Sequence, residues 1–285
     1  MLTHLKTTVL ALAVGLSVSQ FAQAQQLKVP APSPSQTIKQ AFGLSEITIE
    51  YSRPGVKGRT IYGDVVPFGK VWRTGANAST KITFGDDVKL EGNDVKAGTY
   101  ALYSVPNKDS WELMLYKDLT LGGNVGEYKK ENEVLRFVVK PSALNDRVET
   151  FNIQVADVTL NSARIELNWE NTRVSFKVET DVDTRIMKNI DAAVVNDNRP
   201  YFQAASYFYE TNRDLVKAAE WADKAIAQNP KAYWIVLLKA KILAKQKDIK
   251  GSNAAADQVI TLATEDKNDD YIKMANKLKA ENNKK

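Results

Sequence analysis

The sequence predicts two domains, an antiparallel all-β sandwich or open barrel followed by an α-helical tail. From Ile38 to about Val178, apolar and polar residues alternate in short segments separated by Gly, Pro, Asn and Asp, as in half-buried strands. Around Asp181 the apolar period changes from two residues to about 3.6, the period of an α-helix. Antiparallel strands with frequent turns favour a sandwich or an open barrel over a parallel sheet.

Residues 1–24 have the organisation of a secretory signal peptide. A short basic region with Lys6 precedes an apolar run from Val9 to Val18, and small residues occupy Ala22 and Ala24. We therefore expect cleavage near Ala24 and a periplasmic or otherwise exported protein. Residues 25–36 are rich in Pro, Gln and Ser and predict an extended leader. No segment after the signal is long and apolar enough to span a bilayer.

Residues 37–180 contain the predicted strands. Their sequences are EITIEYS, TKITFG, TYALYSV, WELMLYK, VLRFVVK, TFNIQVA and SARIELNWE. The segment from Pro106 to Ser110 predicts a hairpin turn, and Gly92 with Asn93 predicts another tight reversal. Leu121 to Glu133 contains several glycines and no clear period, which indicates a mobile loop beside a site.

Residues 181–285 predict helices only. Ile186, Ile190 and Val194 have helical spacing, and Pro200 ends that first helix. Beyond it, TNRD and KQKD recur 34 residues apart, and small residues with Pro230 follow the first unit. This tail resembles about two tetratricopeptide repeats followed by a final helix, roughly Tyr271 to Glu281. The second unit departs from the pattern, because Ser252 stands where an alanine is usual.

Composition excludes several kinds of chemistry. The chain has no Cys and a single histidine, His4, which lies in the predicted signal. Without His or Cys, the exported chain could not form a Ser-His-Asp site, a Cys-His site, a Cys/His zinc site or a haem ligand pair. Removing Lys6 with the signal lowers the net charge from +5 to +4, too mild to indicate nucleic acid. We predict no cofactor and no metal, and a role that is not enzymatic.

A calcium site near one hairpin is the alternative to the prediction that the protein binds no metal. Asp86, Asp87, Glu91 and Asp94 could in principle bind calcium through oxygen atoms. Their spacing does not match an EF-hand loop, and acids beside a hairpin commonly serve solubility.

The candidate binding residues lie between Tyr51 and Thr80, where cations, aromatic residues and glycines are interleaved. They are Arg53, Lys57, Arg59, Tyr62, Trp72, Arg73 and Asn77. Such a surface suits a small anionic or sugar-like ligand, or a peptide, because Arg binds carboxylate or phosphate and aromatic rings stack. The alternative is that the aromatic residues cover the core and that Arg73 satisfies buried carbonyl groups.

Three functions follow from these observations. The first is an exported binding protein whose helical tail contacts a protein partner. The second is a carbohydrate-active hydrolase that uses two carboxylates, with Asp64, Glu112 and Glu127 as candidates. The third is a purely structural envelope module.

Four motifs carry a resemblance to a known family. They are the turn from Arg53 to Gly58, the segment from Gly63 to Pro67, the run from Gly69 to Asn77 and the strand from Gly98 to Pro106. Over about Ser33 to Ile190 the sequence resembles a secreted bacterial family known as domain of unknown function 2911. The resemblance implies an exported β-rich domain, often followed by a helical repeat tail. It implies no activity and no catalytic residues.

Overall fold

The computed structural model describes residues 29–195 and 200–284 and divides into two units. The β unit contains the described residues up to 178 except 42–45 and 158–162, and the helical unit contains those two segments and the described residues from 179 onward. The predicted signal peptide, the start of the leader and the break before Pro200 lie outside the described residues. In chain order, the strands are β1 (Ser35–Phe42), β2 (Ser45–Ser52), β3 (Thr80–Phe84), β4 (Val88–Leu90), β5 (Asn93–Val95), β6 (Gly98–Pro106), β7 (Trp111–Tyr116), β8 (Glu133–Val139), β9 (Ser142–Ala156) and β10 (Ser162–Glu179).

The β unit consists of two antiparallel sheets. One sheet has the strand order β1-β2-β3-β6-β7-β8, and the other has the order β5-β4-β10-β9. The two sheets remain separate and do not close on each other. This confirms the predicted antiparallel all-β class, a sandwich-like pair of sheets that is not closed.

Each predicted strand is present, and the two predicted reversals occur between β4 and β5 and between β6 and β7. In the first, Glu91 (φ 47°) and Gly92 (φ 83°) both have positive φ, as two-residue hairpin turns require. The sequence pattern missed β1, β4 and β5. Two of these are only three residues long, and β1 carries polar residues and buries only its last side chain, Phe42. Neither kind of strand leaves a clear alternating signal.

Aromatic side chains fill one end of the space between the sheets. Trp72 stacks on Trp169 with ring centroids 5.8 Å apart, and its edge contacts are to Trp111 and Phe151 at 6.3 and 5.4 Å. Trp111 lies on β7 of the first sheet, whereas Phe151 and Trp169 lie on β9 and β10 of the second. This cluster therefore holds the two sheets together at the point where the glycine-rich segment before β3 enters the core.

The helical unit contains α1 (Asp183–Ile190), α2 (Tyr201–Glu210), α3 (Leu215–Gln228), α4 (Tyr233–Lys245), α5 (Ile249–Glu265) and α6 (Asp269–Asn282). A π-helical turn, Asp191–Val195, extends α1, so the helix predicted around Ile186 and Ile190 is present. The side chain of Val194 is not described. The predicted final helix corresponds to α6. Within the described ranges, the helices lack the length and apolar character needed to cross a bilayer.

The two turns that are 34 residues apart each contain a residue with positive φ and end in an aspartate that caps the next helix. Asn212 (φ 55°) lies two residues before Asp214, whereas Lys247 (φ 68°) directly precedes Asp248, so the two turns differ by one residue. The carboxylate of Asp214 accepts hydrogen bonds from the backbone N–H groups of α3, and that of Asp248 accepts one from Gly251 in α5. The equivalent caps fit a repeat, while assignment of the tail to the tetratricopeptide class stays a prediction.

Ser252, the residue that departs from the repeat pattern, ties three helices together. Its side chain is fully buried, and its hydroxyl donates to the carbonyl oxygen of Ala240 in α4 at 2.8 Å. The same hydroxyl accepts a hydrogen bond from the Asn282 amide at the end of α6, at 2.9 Å. An alanine could not satisfy these buried polar groups, so Ser252 anchors the last helix.

Replacing Ser252 by Ala should lower the free energy of unfolding by about 1–3 kcal/mol, because a buried amide and a buried carbonyl lose a partner. Urea denaturation of the purified chain, followed by circular dichroism, measures this change. Thr261→Ala is the matched control, since Thr261 lies on the same helix with an exposed hydroxyl that bonds to Asp257. The control should change stability by less than about 0.5 kcal/mol. Equal effects of the two substitutions would contradict the anchoring role.

Candidate functional site

The segment from Gly69 to Thr80 places neighbouring side chains on opposite faces of the six-stranded sheet. Trp72 pairs with Ser104 of β6, its N–H bonding to Ser104 O at 2.7 Å and Ser104 N–H to Trp72 O at 2.9 Å. In extended backbone, successive side chains point to opposite sides. Because Trp72 enters the core, Arg73 lies on the outer face of the sheet.

The backbone that carries Arg73 is held by side-chain hydrogen bonds. The indole N–H of Trp72 donates to Gly75 O at 3.0 Å, and the Thr80 hydroxyl donates to Thr74 O at 2.5 Å. The hydroxyls of Thr74 and Ser104 are hydrogen-bonded to each other at 2.9 Å. A Cβ at Gly75 would come within 3.2 Å of a backbone oxygen of β2, so this position requires glycine. The loop is therefore a rigid support.

Arg73 has no protein partner for its guanidinium in the described part of the chain. Its side chain is partly exposed, its Nε atom is buried without a hydrogen-bond partner, and it joins no ion pair there. The guanidinium lies against Gly123, where an added Cβ would be only 2.9 Å from Nη1. Gly123 belongs to the glycine-rich loop after β7. The arginine and the loop that the sequence associated with a site thus meet.

Ser79 and Tyr103 complete the surroundings of Arg73. Ser79 is 3% exposed, and its hydroxyl lies within reach of the Tyr103 oxygen. Burial raises the pKa of Tyr103, while the Ser79 hydroxyl and the Arg73 charge lower it, so both lie close to this phenol. The Tyr103 hydroxyl donates at 2.9 Å to the carbonyl oxygen of Gly122. Ser79 therefore has an acceptor at hand, and the buried Nε–H of Arg73 is left without one among the described residues.

A shallow cleft of about 240 Å³ adjoins Ser79. Its walls come from β1, β2 and the start of β3, and they include Ser52, Lys81 and Glu50. Lys81 places a second cation on the same side of the sheet as Arg73. Within the cleft, Lys81 lies opposite Glu50 in the β2–β3 pairing, so the cleft itself carries one cation and one carboxylate and Arg73 is not among its lining residues.

The loop from Leu121 to Glu133 is packed on the sheet, although its sequence indicated a mobile segment. Two 3₁₀ turns, Val125–Glu127 and Lys130–Asn132, shape it. Tyr128 stacks on Tyr116 at 4.6 Å between ring centroids and contacts Tyr103 edge to face at 5.4 Å. This tyrosine cluster forms a small second core on the outer face, and it fixes Gly122 and Gly123 beside Arg73.

An ionic network borders the tyrosine cluster. Arg136 bonds to Glu133, with Nη2 to Oε1 at 2.5 Å, and also to Glu112. The Arg136 guanidinium lowers the pKa of Glu133, which also accepts a hydrogen bond from the Tyr128 hydroxyl at 3.1 Å. Burial, followed by the Glu133 charge, raises the pKa of Tyr128. Glu133 is held in its ionised form, which secures the far end of the loop.

The other predicted cations and Asn77 are bound to nearby protein atoms. Arg53 Nε donates to Phe151 O at 3.1 Å, and Arg59 donates to the carbonyls of Val56 and Gly55 at 3.0 and 2.7 Å. Lys57 contacts Pro32 O at 3.4 Å through Nζ, and Asn77 donates to Ser33 O and Ser52 Oγ. These side chains stabilise turns, and Arg73 differs from them in having no acceptor.

The two predicted aromatic residues lie in or against the core. Trp72 is 9% exposed and is enclosed by the aromatic cluster. Tyr62 packs edge to face on Trp111 and is only half-buried, on the side of the sandwich away from the tyrosine cluster. The predicted set is therefore divided, and we leave Trp72 out of the proposed site. Ser79, Tyr103 and Gly123 were missed, because only the register of β3 with β6 and the packing of the loop bring them to Arg73.

The acidic residues have protein partners or lie apart. Glu112 is paired with Arg136, whereas Asp64 and Glu127 are exposed in separate loops. Near the β4–β5 hairpin, Asp94 pairs with Lys89 at 2.5 Å and Asp87 with Lys96 at 2.8 Å. In the described part of the chain, no group of three or more acidic residues could hold a metal ion. Where a pKa shift of a carboxyl is resolved, in Asp87, Asp118, Glu133 and Asp183, the pKa is lowered, which does not favour a general acid.

The fold and this site define an antiparallel β-sandwich that presents an unpaired arginine beside a glycine loop. The chain matches the family described as "Protein of unknown function (DUF2911)" over residues 33–178, and it belongs to that family. The match spans the sandwich and ends before Ile190, where the sequence resemblance was expected to end. Searches of curated proteins and of solved structures find no significant match.

The lowered pKa of Glu133 predicts how stability depends on pH. A carboxyl whose folded pKa is below its unfolded value, about 4.3, stabilises the fold above that pH and loses its contribution as the pH falls through the folded pKa. Glu133→Gln should therefore be less stable than wild type at pH 7 and lose less stability between about pH 5 and 3. Urea denaturation over this range measures both effects.

Glu131→Gln provides the control for this comparison, because Glu131 is an exposed carboxyl of the same loop. It should leave both the stability at pH 7 and its decline in acid close to wild type. Parallel declines for Glu133→Gln and wild type would show that the Glu133–Arg136 pair does not contribute to acid sensitivity.

Proposed function

We propose that the β-sandwich is a binding module for a small anion with a carboxylate or phosphate group, held by Arg73 on the outer face of the six-stranded sheet. The observation that carries this proposal is the guanidinium itself. It is fixed against Gly123, its Nε–H is buried without an acceptor among the described residues, and the buried Ser79 hydroxyl lies beside the same phenol, Tyr103. A buried guanidinium N–H normally has a partner, so this one requires an explanation.

An anionic group supplies the acceptor that the Arg73 guanidinium lacks. Carboxylate and phosphate oxygens accept charge-assisted hydrogen bonds from arginine, often two at once, and such bonds are about twice as strong as neutral ones. The neighbouring cleft adds no net charge, because Lys81 and Glu50 both line it. The alternative role of Arg73, satisfaction of buried carbonyl groups, is filled in this chain by Arg53 and Arg59.

Two further proposals concern where the protein works and what its helical tail contacts. We propose that the protein works in the periplasm or otherwise outside the cytoplasm, which the signal-like residues 1–24 support. We also keep the proposal that the helical tail contacts a protein partner. Trp234 on α4 supports it, since this large side chain is 40% exposed beside a cleft of about 340 Å³.

Arg73→Met should abolish anion binding while changing the free energy of unfolding by no more than about 1 kcal/mol, because no protein acceptor loses a bond. The measurement is the thermal shift and isothermal titration of the full chain with inorganic phosphate, citrate and succinate. Lys70→Met removes the same charge from an exposed position on the same loop and should retain binding. Absence of binding by wild type, or equal losses in both variants, would overturn the proposal.

Gly123→Ala tests the same site without removing a charge. The new methyl group would approach Arg73 Nη1 to 2.9 Å, so the guanidinium must move. We expect at least a several-fold weaker affinity for whichever of the three anions binds wild type. Gly126→Ala is the control on the same loop, since its Cβ would meet no atom within 4 Å. If Arg73→Met unfolds the chain while Gly123→Ala binds anions as wild type does, Arg73 has a structural role only.

A further inference from the structure

A second cleft lies at one end of the β-sandwich, formed by residues that the anion site does not use. Its volume is about 330 Å³, at the lower end of the range for small-molecule pockets, roughly 300–1,000 Å³. Tyr62, Phe68 and Trp111 form its apolar side. Its polar side includes Asn107, Asn171 and Thr172, and Lys108 is placed at the same end.

The aromatic side of this cleft is rigid. Tyr62 contacts Trp111 edge to face at 5.1 Å and Trp169 at 6.3 Å, so its ring is held by the core cluster. Phe68 lies on Gly63, where a Cβ would come within 2.9 Å of the Phe68 ring and where φ is +96°. A larger residue at Gly63 would displace Phe68. Little side-chain entropy would therefore be lost when a ligand contacts these rings.

Two polar groups of the aromatic cluster have no hydrogen-bond partner among the described residues, the Trp169 indole N–H and the Tyr62 hydroxyl. The Trp169 N–H is buried, whereas Tyr62 lines the cleft with its ring against Trp111, Trp169 and Trp72. Burial, with a smaller contribution from the Glu170 charge, raises the pKa of Tyr62, so the phenol keeps its proton. Since Tyr62 lines the cleft, a bound molecule can reach this hydroxyl.

The charges of the cleft narrow the ligand class. Lys108 is the one charged residue among its described lining residues. Glu170, which precedes Asn171, is close enough that its charge raises the pKa of Tyr62, and it pairs with Arg147 at 3.9 Å. A hydrolase would need two carboxylates, and the described lining supplies none. Amide, hydroxyl and ammonium groups beside aromatic rings suit a molecule with hydroxyl groups on its edge and C–H groups on its face.

We propose that this cleft binds one ring of a saccharide, with a hexuronic acid preferred over the neutral hexose because of Lys108. The C–H face of the sugar packs on Tyr62 and Phe68. Its hydroxyl groups bond to Asn107, Asn171 and the Tyr62 hydroxyl, and its carboxylate faces Lys108. This site is separate from the one at Arg73, which lies on the outer face of the sheet.

The experiment is ligand-observed saturation-transfer NMR and titration calorimetry of the full chain with galacturonate and with galactose. Wild type should bind galacturonate more tightly than galactose. Tyr62→Phe retains the ring and should weaken binding of both about two- to tenfold, the effect of one lost hydrogen bond. Tyr100→Phe is the matched control, since its hydroxyl bonds to Lys96 O outside the cleft, and it should bind as wild type does.

Two further variants separate this site from the anion site. Lys108→Met should remove the preference for galacturonate and leave galactose binding intact, whereas Arg73→Met should change neither. Phosphate binding should respond to Arg73→Met and not to Tyr62→Phe. Failure of wild type to bind either sugar would overturn the saccharide site and leave the anion site standing. Uronate binding that is lost in Arg73→Met and retained in Tyr62→Phe and Lys108→Met would also overturn it.

Discussion

Burial of Trp72 between the two sheets is the interaction on which the rest of the β unit depends. Its ring stacks on Trp169 of the second sheet, its backbone pairs with Ser104 of the first, and its indole N–H holds Gly75 O. Ordering a long glycine-rich segment costs conformational entropy, and burial of the Trp72 ring offsets that cost. With Trp72 fixed, the alternation of an extended chain sends Arg73 to the opposite face.

A second, smaller core on the outer face of the six-stranded sheet fixes the loop that contacts Arg73. Tyr103, Tyr116 and Tyr128 pack together, and the ionic network of Arg136 holds the end of their loop. Their hydroxyls bond to loop groups, so the polar ends of the rings are satisfied while the rings exclude water. This packing brings Gly123 against Arg73. Only a residue without a side chain allows so close an approach of the backbone to a guanidinium.

The arginines of the glycine-rich region divide into two kinds by their acceptors. Arg53 and Arg59 donate to backbone carbonyls and stabilise the turn that follows β2, whereas Arg73 has no acceptor in the described chain. All three are arginines of the same glycine-rich region, so the residue type does not separate them. The difference arises from what the fold places within about 3 Å of each guanidinium. A count of cations in the sequence therefore does not separate these arginines, whereas their hydrogen-bond acceptors in the fold do.

Local patterns in the sequence determined the antiparallel β class, the long strands, the hairpin turns and the helices, because periodicity and turn chemistry act over a few residues. The recurrence of TNRD and KQKD predicted two related turns, and the structure places helix caps there, at Asp214 and Asp248. Tertiary structure alone decided that Trp72 belongs to the core, that Ser252 links three helices, and that Arg73 meets Ser79, Tyr103 and Gly123. Those outcomes depend on strand register and on loop packing, which join residues far apart in the chain.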